Sequence, residues 1–454
     1  MPRFNLYVIL FALLVYACTA GVTLRDRLLV STLHRIERNA LFEPSAKDLF
    51  EGALHGMATI LSEEYGDSYS SYIPPRIQTS YLNQHYNRYE GLGFKIGLYE
   101  EKGEKSFLID YPQYESPAYR AGLRSGDQIV QIDGAPIANV TRDEVLKLLR
   151  GKEQTEIHLS IVPFGKTEPE DFVLRREKIQ SISVEGDYFD SDKRYFRLET
   201  HPMIGYIRIT SFGAETTAKE FSNALDSMMQ SGAESLILDL RDNGGGAVWE
   251  FVQIARMLMS PNQNSESDSG DVIVTRWQRN SPRRVHFRLL EGSQRCTLPM
   301  VVLINGETAS ASEFLTVALQ DHRKATIVGT RSFGKGVGQG IIELPFQSGM
   351  LQLTDWEYRR PNGKAIHRKK DAADSDDWGI IPEIVVEISE AEWLAVEQYR
   401  SLRSNVISPQ RSSVLDHFRQ RIIVEQDEGF VFTGTAPYYD VQLDEAIKVL
   451  TNTP

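Results

Sequence analysis

Ser310 lies in the run Asn305-Gly306-Glu307-Thr308-Ala309-Ser310-Ala311-Ser312-Glu313, and Lys335 follows inside Ser332-Phe333-Gly334-Lys335-Gly336. A serine hydroxyl becomes a useful nucleophile only when a base takes its proton. Lysine can be that base if desolvation draws its pKa, about 10.4 in water, toward neutrality, so it belongs in an enclosed site without a carboxylate partner. Activity would then climb with pH through a depressed lysine pKa. The glycines beside Lys335 let backbone approach closely, and Phe333 and Val337 offer apolar walls. An oxyanion formed at such a serine needs amide donors. Ala311 N–H, at a helix start, is one candidate, and an amide of the Gly245-Gly246 pair is the other.

Each half of this pair has a blander reading. Ser310-x-x-Glu313 ahead of Phe314, Leu315, Val317, Ala318 and Leu319 is a helix capping box. Gly329-x-x-x-x-Gly334-Lys335, after the strand-like Ala325-Thr326-Ile327-Val328, nearly spells a phosphate loop. That loop needs Ser or Thr next and then a helix, whereas Gly336-Val337-Gly338-Gln339-Gly340 reads as loop into strand. A histidine base is disfavoured too: Asp321-His322 is the one tempting pair near Ser310, and adjacent residues rarely point together as a relay.

The 454 residues, 41% hydrophobic and 25% charged, suffice for several cores. A formal charge of −12 without long basic clusters argues against nucleic acid as a partner. The nine histidines show no metal-binding spacing, and two cysteines exclude a disulfide scaffold, so neither metal nor cofactor is implied. Arg3 followed by the apolar run Leu6 to Ala17 reads as an export leader. It suits a cleaved signal peptide and a retained membrane anchor about equally, and Val15-Tyr16-Ala17-Cys18 only partly fits a lipidation box.

Five segments must position these residues. A leader spans 1–24, and helical periodicity marks 25–88. Residues 89–163 carry short strands and a helix from Thr141 to Leu149, with Thr141-x-x-Glu144 as its capping box. An α/β region spans 164–390, with an expanded stretch at 260–297 that includes a solvated loop from Pro261 to Gly270. Its strands Ile204–Ile209, Ser235–Leu240 and Met300–Ile304 alternate with helices Ala218–Met229 and Val248–Met259, the last strand leading to Ser310. Residues 391–454 hold helical text at Ala391–Arg403, Val414–Ile423 and Asp440–Leu450, suited to packing or to a homodimer contact.

The 89–163 segment resembles a PDZ domain, through Gly91-Leu92-Gly93-Phe94 and through Ser116-Pro117-Ala118-Tyr119-Arg120-Ala121-Gly122-Leu123-Arg124-Ser125-Gly126-Asp127. Amides of the Gly91–Phe94 loop could hold a terminal carboxylate while the next strand pairs with an incoming peptide.

The chain as a whole resembles the carboxyl-terminal processing, or tail-specific, serine proteases of peptidase family S41. The PDZ segment is followed by Asp239-Leu240-Arg241-Asp242-Asn243-x-Gly245-Gly246, then Thr308-Ala309-Ser310-Ala311-Ser312-Glu313 and Leu319-Gln320-Asp321. Gly329-Thr330-x-x-Phe333-Gly334-Lys335-Gly336, Pro361-Asn362-Gly363-Lys364 and Gly379-Ile380-Ile381-Pro382-Glu383 complete the pattern. The resemblance implies a multidomain α+β protein whose α/β peptidase core has crotonase-like (ClpP/crotonase-type) architecture. It implies an endopeptidase on the extracytoplasmic or periplasmic side, cleaving C-terminal regions of exported proteins captured by the PDZ domain. Ser310 then matches the nucleophile, Lys335 the general base and Gln339 the residue orienting it; Asp321 matches an acidic position read as outside the reacting groups. Arg150, after the PDZ helix, is a candidate coupler of peptide occupancy to the core. Gly244 stands where relatives commonly have proline and Glu383 where they have aspartate. The rival class is a catalytically silent PDZ adaptor that binds tails on a protease fold.

Overall fold

Thr141 and Glu144 stand three apart ahead of the apolar stripe Val145 and Leu149, and that spacing nucleates the helix Arg142–Leu149 through a complete capping box. The computed structural model describes residues 23–101, 104–190, 193–261, 270–279, 281, 283–405, 413–415, 422–423 and 439–452. Residues 1–22 of the leader and 262–269 of the Pro261–Gly270 loop lie outside the described residues. The chain divides into two units, Met1–Gln78 with Gln339–Thr354, and Thr79–Gly338 with Asp355–Pro454.

In the first unit, helix Leu24–Asn39 starts on a Thr23–Asp26 capping box, and helix Ala46–Tyr65 starts on Ser45 and stops at left-handed Gly66. Ser71–Ile73 pairs antiparallel with Met350–Gln352. Asp67 gathers this unit's polar contacts: its carboxylate accepts from Ser70 Oγ at 2.5 Å and from Thr354 Oγ1 at 2.9 Å. No helix among the described residues is long and apolar enough to cross a membrane.

The second unit holds the PDZ segment and the α/β region. PDZ strands Phe94–Glu101, Glu104–Pro112, Gln128–Ile132, Glu156–Val162 and Glu170–Arg175 form an antiparallel sheet in that order. Its core gathers Leu92, Ile96, Leu98, Ile109, Leu123, Ile129, Val145 and Ile157. The helix Arg142–Leu149 is closed by Arg176, whose guanidinium donates to the Leu148 and Leu149 carbonyls at 2.8 and 3.0 Å. Text expected to be helical from Val414 to Ile423 departs at its end: Ile422 and Ile423 pair as a strand with Glu100 and Tyr99. Two β-branched residues satisfy an open strand edge more readily than they extend a helix.

The α/β region is built on a six-stranded sheet in the order Val184–Glu185, Ile204–Ile209, Ser235–Asp239, Met300–Ile304, Thr326–Gly329, Ile384–Val385. All neighbours run parallel except the first pair. Such strands are buried on both faces, which is why apolar residues dominate Ile204–Ile209, Ser235–Asp239 and Met300–Ile304, the last without a single polar residue. Leu236, Leu238, Val302, Ile304 and Ile327 pack with the residues of helices Thr217–Gln230, Val248–Leu258 and Ala311–Asp321. Ile237, Val301, Leu303 and Val328 face helix Val441–Thr451 through Ala446 and Ile447.

Where Ser235–Asp239 ends, Arg241 is wholly buried and joins Asp239 at 2.8 Å and Asp440 at 2.9 Å. Asp440 also caps helix Val441–Thr451 by accepting from Leu443 N–H. Burial works to raise both carboxyl pKa values, but the Arg241 and Arg400 guanidiniums hold Asp239 well below, and Asp440 below, the usual carboxylate range. Depressed folded pKa values mean that this stabilisation is fully present above the ordinary aspartate value of 3.8 and is lost as pH falls through the folded values. Arg241→Ala leaves two buried carboxylates without their main partner. It is expected to cost about 3–5 kcal/mol in urea unfolding at pH 7 and to move acid unfolding to higher pH.

Candidate active site

Three connections converge at the C-terminal ends of the parallel strands, where open α/β sheets place their sites. They are the loop Asp239–Gly246 after Ser235–Asp239, the turn Asn305–Ser310 after Met300–Ile304, and the loop Thr330–Gly336 after Thr326–Gly329.

Side-chain oxygens lock the first two together. Asn305 Oδ1 accepts from Asp242 N–H at 3.0 Å, Asn305 Nδ2 donates to Asp242 Oδ1 at 2.7 Å, and Thr308 Oγ1 donates to the Leu240 carbonyl at 2.9 Å. Asn243, fully buried, accepts at its carbonyl from Ala309 N–H (3.0 Å) and Ser312 Oγ (2.8 Å). The Ser312 hydroxyl is thereby committed to the Asn243 carbonyl.

Ser310 is half-buried at φ 57° and ψ −119°. A non-glycine residue in so sparsely populated a conformation costs about 1–3 kcal/mol and persists only where its surroundings hold it. Helix Ala311–Asp321 begins immediately after it, so the serine stands at a strand-turn-helix bend. Gly245, at φ 99°, lies against it: a Cβ there would fall 2.7 Å from Ser310 Cβ and 2.9 Å from Ala311 N, so only glycine fits. Gly245 N–H is committed to Asn243 Oδ1 at 2.9 Å. The amides of Ala311 and Gly246 donate to no group among the described residues.

Glu313 connects the serine to the third segment. Its wholly buried carboxylate accepts from Ser310 N–H (2.8 Å) and Lys335 N–H (2.8 Å) at Oε2, and from Gly334 N–H (2.7 Å) and Ser332 Oγ (2.6 Å) at Oε1. Burial is the largest influence on this carboxyl and pushes its pKa up, while the four donors act to lower it. One side chain therefore fixes the backbones of both Ser310 and Lys335. The sequence exposed Glu313 as the end of a capping box; the glutamate's half of that box, accepting from Ser310 N–H, is formed, and the contact to Lys335 has no signature in local spacing.

The half-buried Lys335 sits between two glycines that admit neighbouring backbone. A Cβ at Gly336 would meet His367 N at 2.6 Å, and one at Gly334, φ 86°, would meet Arg368 Cβ at 2.9 Å. Gln339 belongs to the other unit, where its Nε2 donates to Thr354 Oγ1 at 3.1 Å. Asp321 ends the helix that Ser310 begins; it pairs with Arg360, and its Oδ1 accepts from Asn362 Nδ2 at 3.3 Å. Arg150 is exposed at the end of the PDZ helix. In the Gly91–Phe94 loop, Gly93 at φ 77° presses on Ser116, and the Leu92 carbonyl accepts from Ala118 N–H at 3.0 Å, joining both PDZ motifs of the sequence. No cluster of His, Cys, Asp or Glu among the described residues is arranged to hold a metal ion.

The profile of peptidase family S41 matches residues 203–386, and that of the PDZ domain matches 84–162. A carboxy-terminal-processing protease of Bartonella bacilliformis is 31% identical over 92% of this chain and 86% of its own length. The carboxy-terminal processing protease CtpA of Bacillus subtilis is 31% identical over 75% of this chain and 64% of its own. A solved S41 protease structure from Bacteroides fragilis has the same fold, with a TM-score of 0.50, 16% identity and coverage of 86% of this chain and 95% of that one. The chain belongs to peptidase family S41 as a carboxyl-terminal processing, tail-specific serine endopeptidase with an inserted PDZ domain.

Replacing Glu313 by Gln puts an amide group where a carboxylate accepted four hydrogen bonds, leaving at least one pair of donors face to face. At about 1–3 kcal/mol per unsatisfied buried donor, turnover is expected to fall about 100-fold with near-native circular dichroism. Equal kcat in wild type and Glu313→Gln would show that the carboxylate does not set the site.

Proposed function

We propose that Ser310 is the nucleophile and Lys335 its general base, and that the enzyme cleaves C-terminal regions of exported proteins whose tails dock on the PDZ loop Gly91-Leu92-Gly93-Phe94. The observation that carries this reading is the shared anchor: the Glu313 carboxylate holds the amides of Ser310 and Lys335 together. The strained backbone at Ser310 supports it, since such strain concentrates at functional residues.

The chemistry follows from these groups. Lys335 Nζ, uncharged, takes the Ser310 hydroxyl proton as Oγ attacks the scissile carbonyl. The oxyanion faces Ala311 N–H, and Gly246 N–H is the better second donor because Gly245 N–H is already bonded to Asn243. As the tetrahedral intermediate collapses, Lys335 returns the proton to the departing amine. A water activated by the same lysine then hydrolyses the acyl-enzyme.

Gln339 is assigned to orienting Lys335 on the strength of the motif. Asp321, engaged by Arg360 and Asn362, is assigned a supporting place at the helix end. The parallel sheet is read as a core of crotonase type, and the N-terminal leader as the export signal. A silent PDZ adaptor is the weaker reading, because it gives no reason for a buried carboxylate to hold Ser310 and Lys335 at once.

Ser310→Ala and Lys335→Ala are each expected to lower cleavage of an unstructured, apolar-tailed protein at least 1,000-fold without loss of folding. A fluorophosphonate should label wild type and spare Ser310→Ala. Cleavage by Ser310→Ala at the wild-type rate would rule out the assignment.

A further inference from the structure

The helix Glu390–Asn405 touches both the oxyanion-side loop and the PDZ strand. Near its start, Trp393 Nε1 donates to Asp242 Oδ1 at 3.0 Å, and the Arg241 guanidinium lies over the Trp393 ring, 4.7 Å from its centroid. Asp242 and Arg241 belong to the loop that ends in Gly245 and Gly246. Further along, Glu397 meets Arg208 at 3.4 Å, and Arg400 bonds Asp239 and the Tyr206 hydroxyl. At the next residue, Ser401 Oγ accepts from Lys95 Nζ at 3.2 Å and stands 3.5 Å from the Tyr111 hydroxyl. Lys95 is the residue after Phe94, on the strand that leaves the Gly91–Phe94 loop.

Asp242 needs such support. It is a non-glycine residue at φ 58°, a backbone conformation that L side chains rarely adopt, and it sits three residues before Gly245. Asn305 holds it from the Ser310 side and Trp393 from the helix side. Trp393 and Ser401 are eight residues apart on one helix, about 12 Å, with no glycine or proline between them to act as a joint.

We propose that helix Glu390–Asn405 is a strut through which the PDZ strand positions the Asp239–Gly246 loop, with Trp393 as its positioning residue and Ser401 as its contact to the PDZ domain. This deepens the function proposed above and rests on Gly246 serving the oxyanion. Trp393 touches no reacting atom; it acts through Asp242. Loosening either end lets the glycine amides drift from the place where charge develops, which lowers kcat and leaves substrate affinity nearly unchanged.

The test is a double-mutant cycle in the full-length enzyme, with a quenched-fluorescent peptide carrying an apolar tail and Ser310→Ala as control. Trp393→Phe keeps a ring beside Arg241 and removes the indole N–H; Ser401→Ala removes the hydroxyl that meets Lys95. The expected kcat losses are about 10-fold and about 3-fold, with KM and Tm close to wild type. Because both act through one strut, the double variant should lose about 10-fold rather than the roughly 30-fold product. Wild-type kcat in Trp393→Phe, multiplicative losses in the double variant, or a loss tracking Tm would each overturn the strut. Those results leave the active-site assignment standing so long as Ser310→Ala is inactive; activity in Ser310→Ala overturns that assignment and the strut with it.

Discussion

The Glu313 carboxylate is the interaction on which the site depends. A carboxylate removed from water is costly unless its lone pairs are occupied, and four donors from the Ser310, Ser332, Gly334 and Lys335 positions occupy them. The arrangement is demanding in both directions. The glutamate is tolerable in the core only if both loops close around it, and the loops have no equivalent apolar means of aligning their amides. A single buried charge thus makes the serine turn and the lysine loop one cooperative structure, although the two are joined through the helix Ala311–Asp321 and the strand Thr326–Gly329.

Around that centre the chain accumulates backbone conformations that ordinary residues avoid. Ser310 and Asp242 lie at positive φ, and Gly245 and Gly246 occupy conformations and spaces that a Cβ would forbid. Strain of this kind survives only under over-determination. The over-determination comes from buried polar groups rather than from oil-like packing: Asn243 and Asn305 bond backbone on two segments each, and Arg241 ties the loop to the cap of the last helix. Directional bonds can fix where an amide points. Apolar contacts alone fix only how close two surfaces come.

The sequence made the scaffold legible because the scaffold obeys local rules. Capping spacing located the helix Arg142–Leu149, and strand-like text alternating with helical periodicity located the parallel strands. Ser310, Lys335 and the glycine pair were legible as types in an order. What stayed hidden was every partnership across distance: Glu313 with Lys335 N–H, Arg241 with Asp440, Arg176 with the end of the PDZ helix, Trp393 with Asp242. Each involves a common charged or aromatic residue whose neighbours in sequence carry no hint of the contact. Ile422 and Ile423 show the same limit, since an open strand edge elsewhere in the fold decides their state. Gln339 is a further case: its motif position suggests a role at the lysine, while its amide nitrogen is bonded to Thr354 in the other unit.

The helix Glu390–Asn405 shows why a protein would place charges where apolar side chains could pack. Replacing a buried ion pair by well-fitted hydrophobic residues is often neutral or stabilising, so Arg400–Asp239 is poorly explained as a source of stability. An apolar contact, however, tolerates sliding by a fraction of an ångström at little cost, whereas a desolvated ion pair loses its compensation as soon as its geometry opens. Packed between the PDZ strand and the Asp239–Gly246 loop, the helix is held in place by that pair. A stiff element is what can carry the placement of a binding strand to amides whose aim decides how well they stabilise developing charge. The same charges that make the helix an expensive way to build a core therefore make it a stiff connection between the domain that would bind the tail and the loop that would stabilise the cleavage transition state.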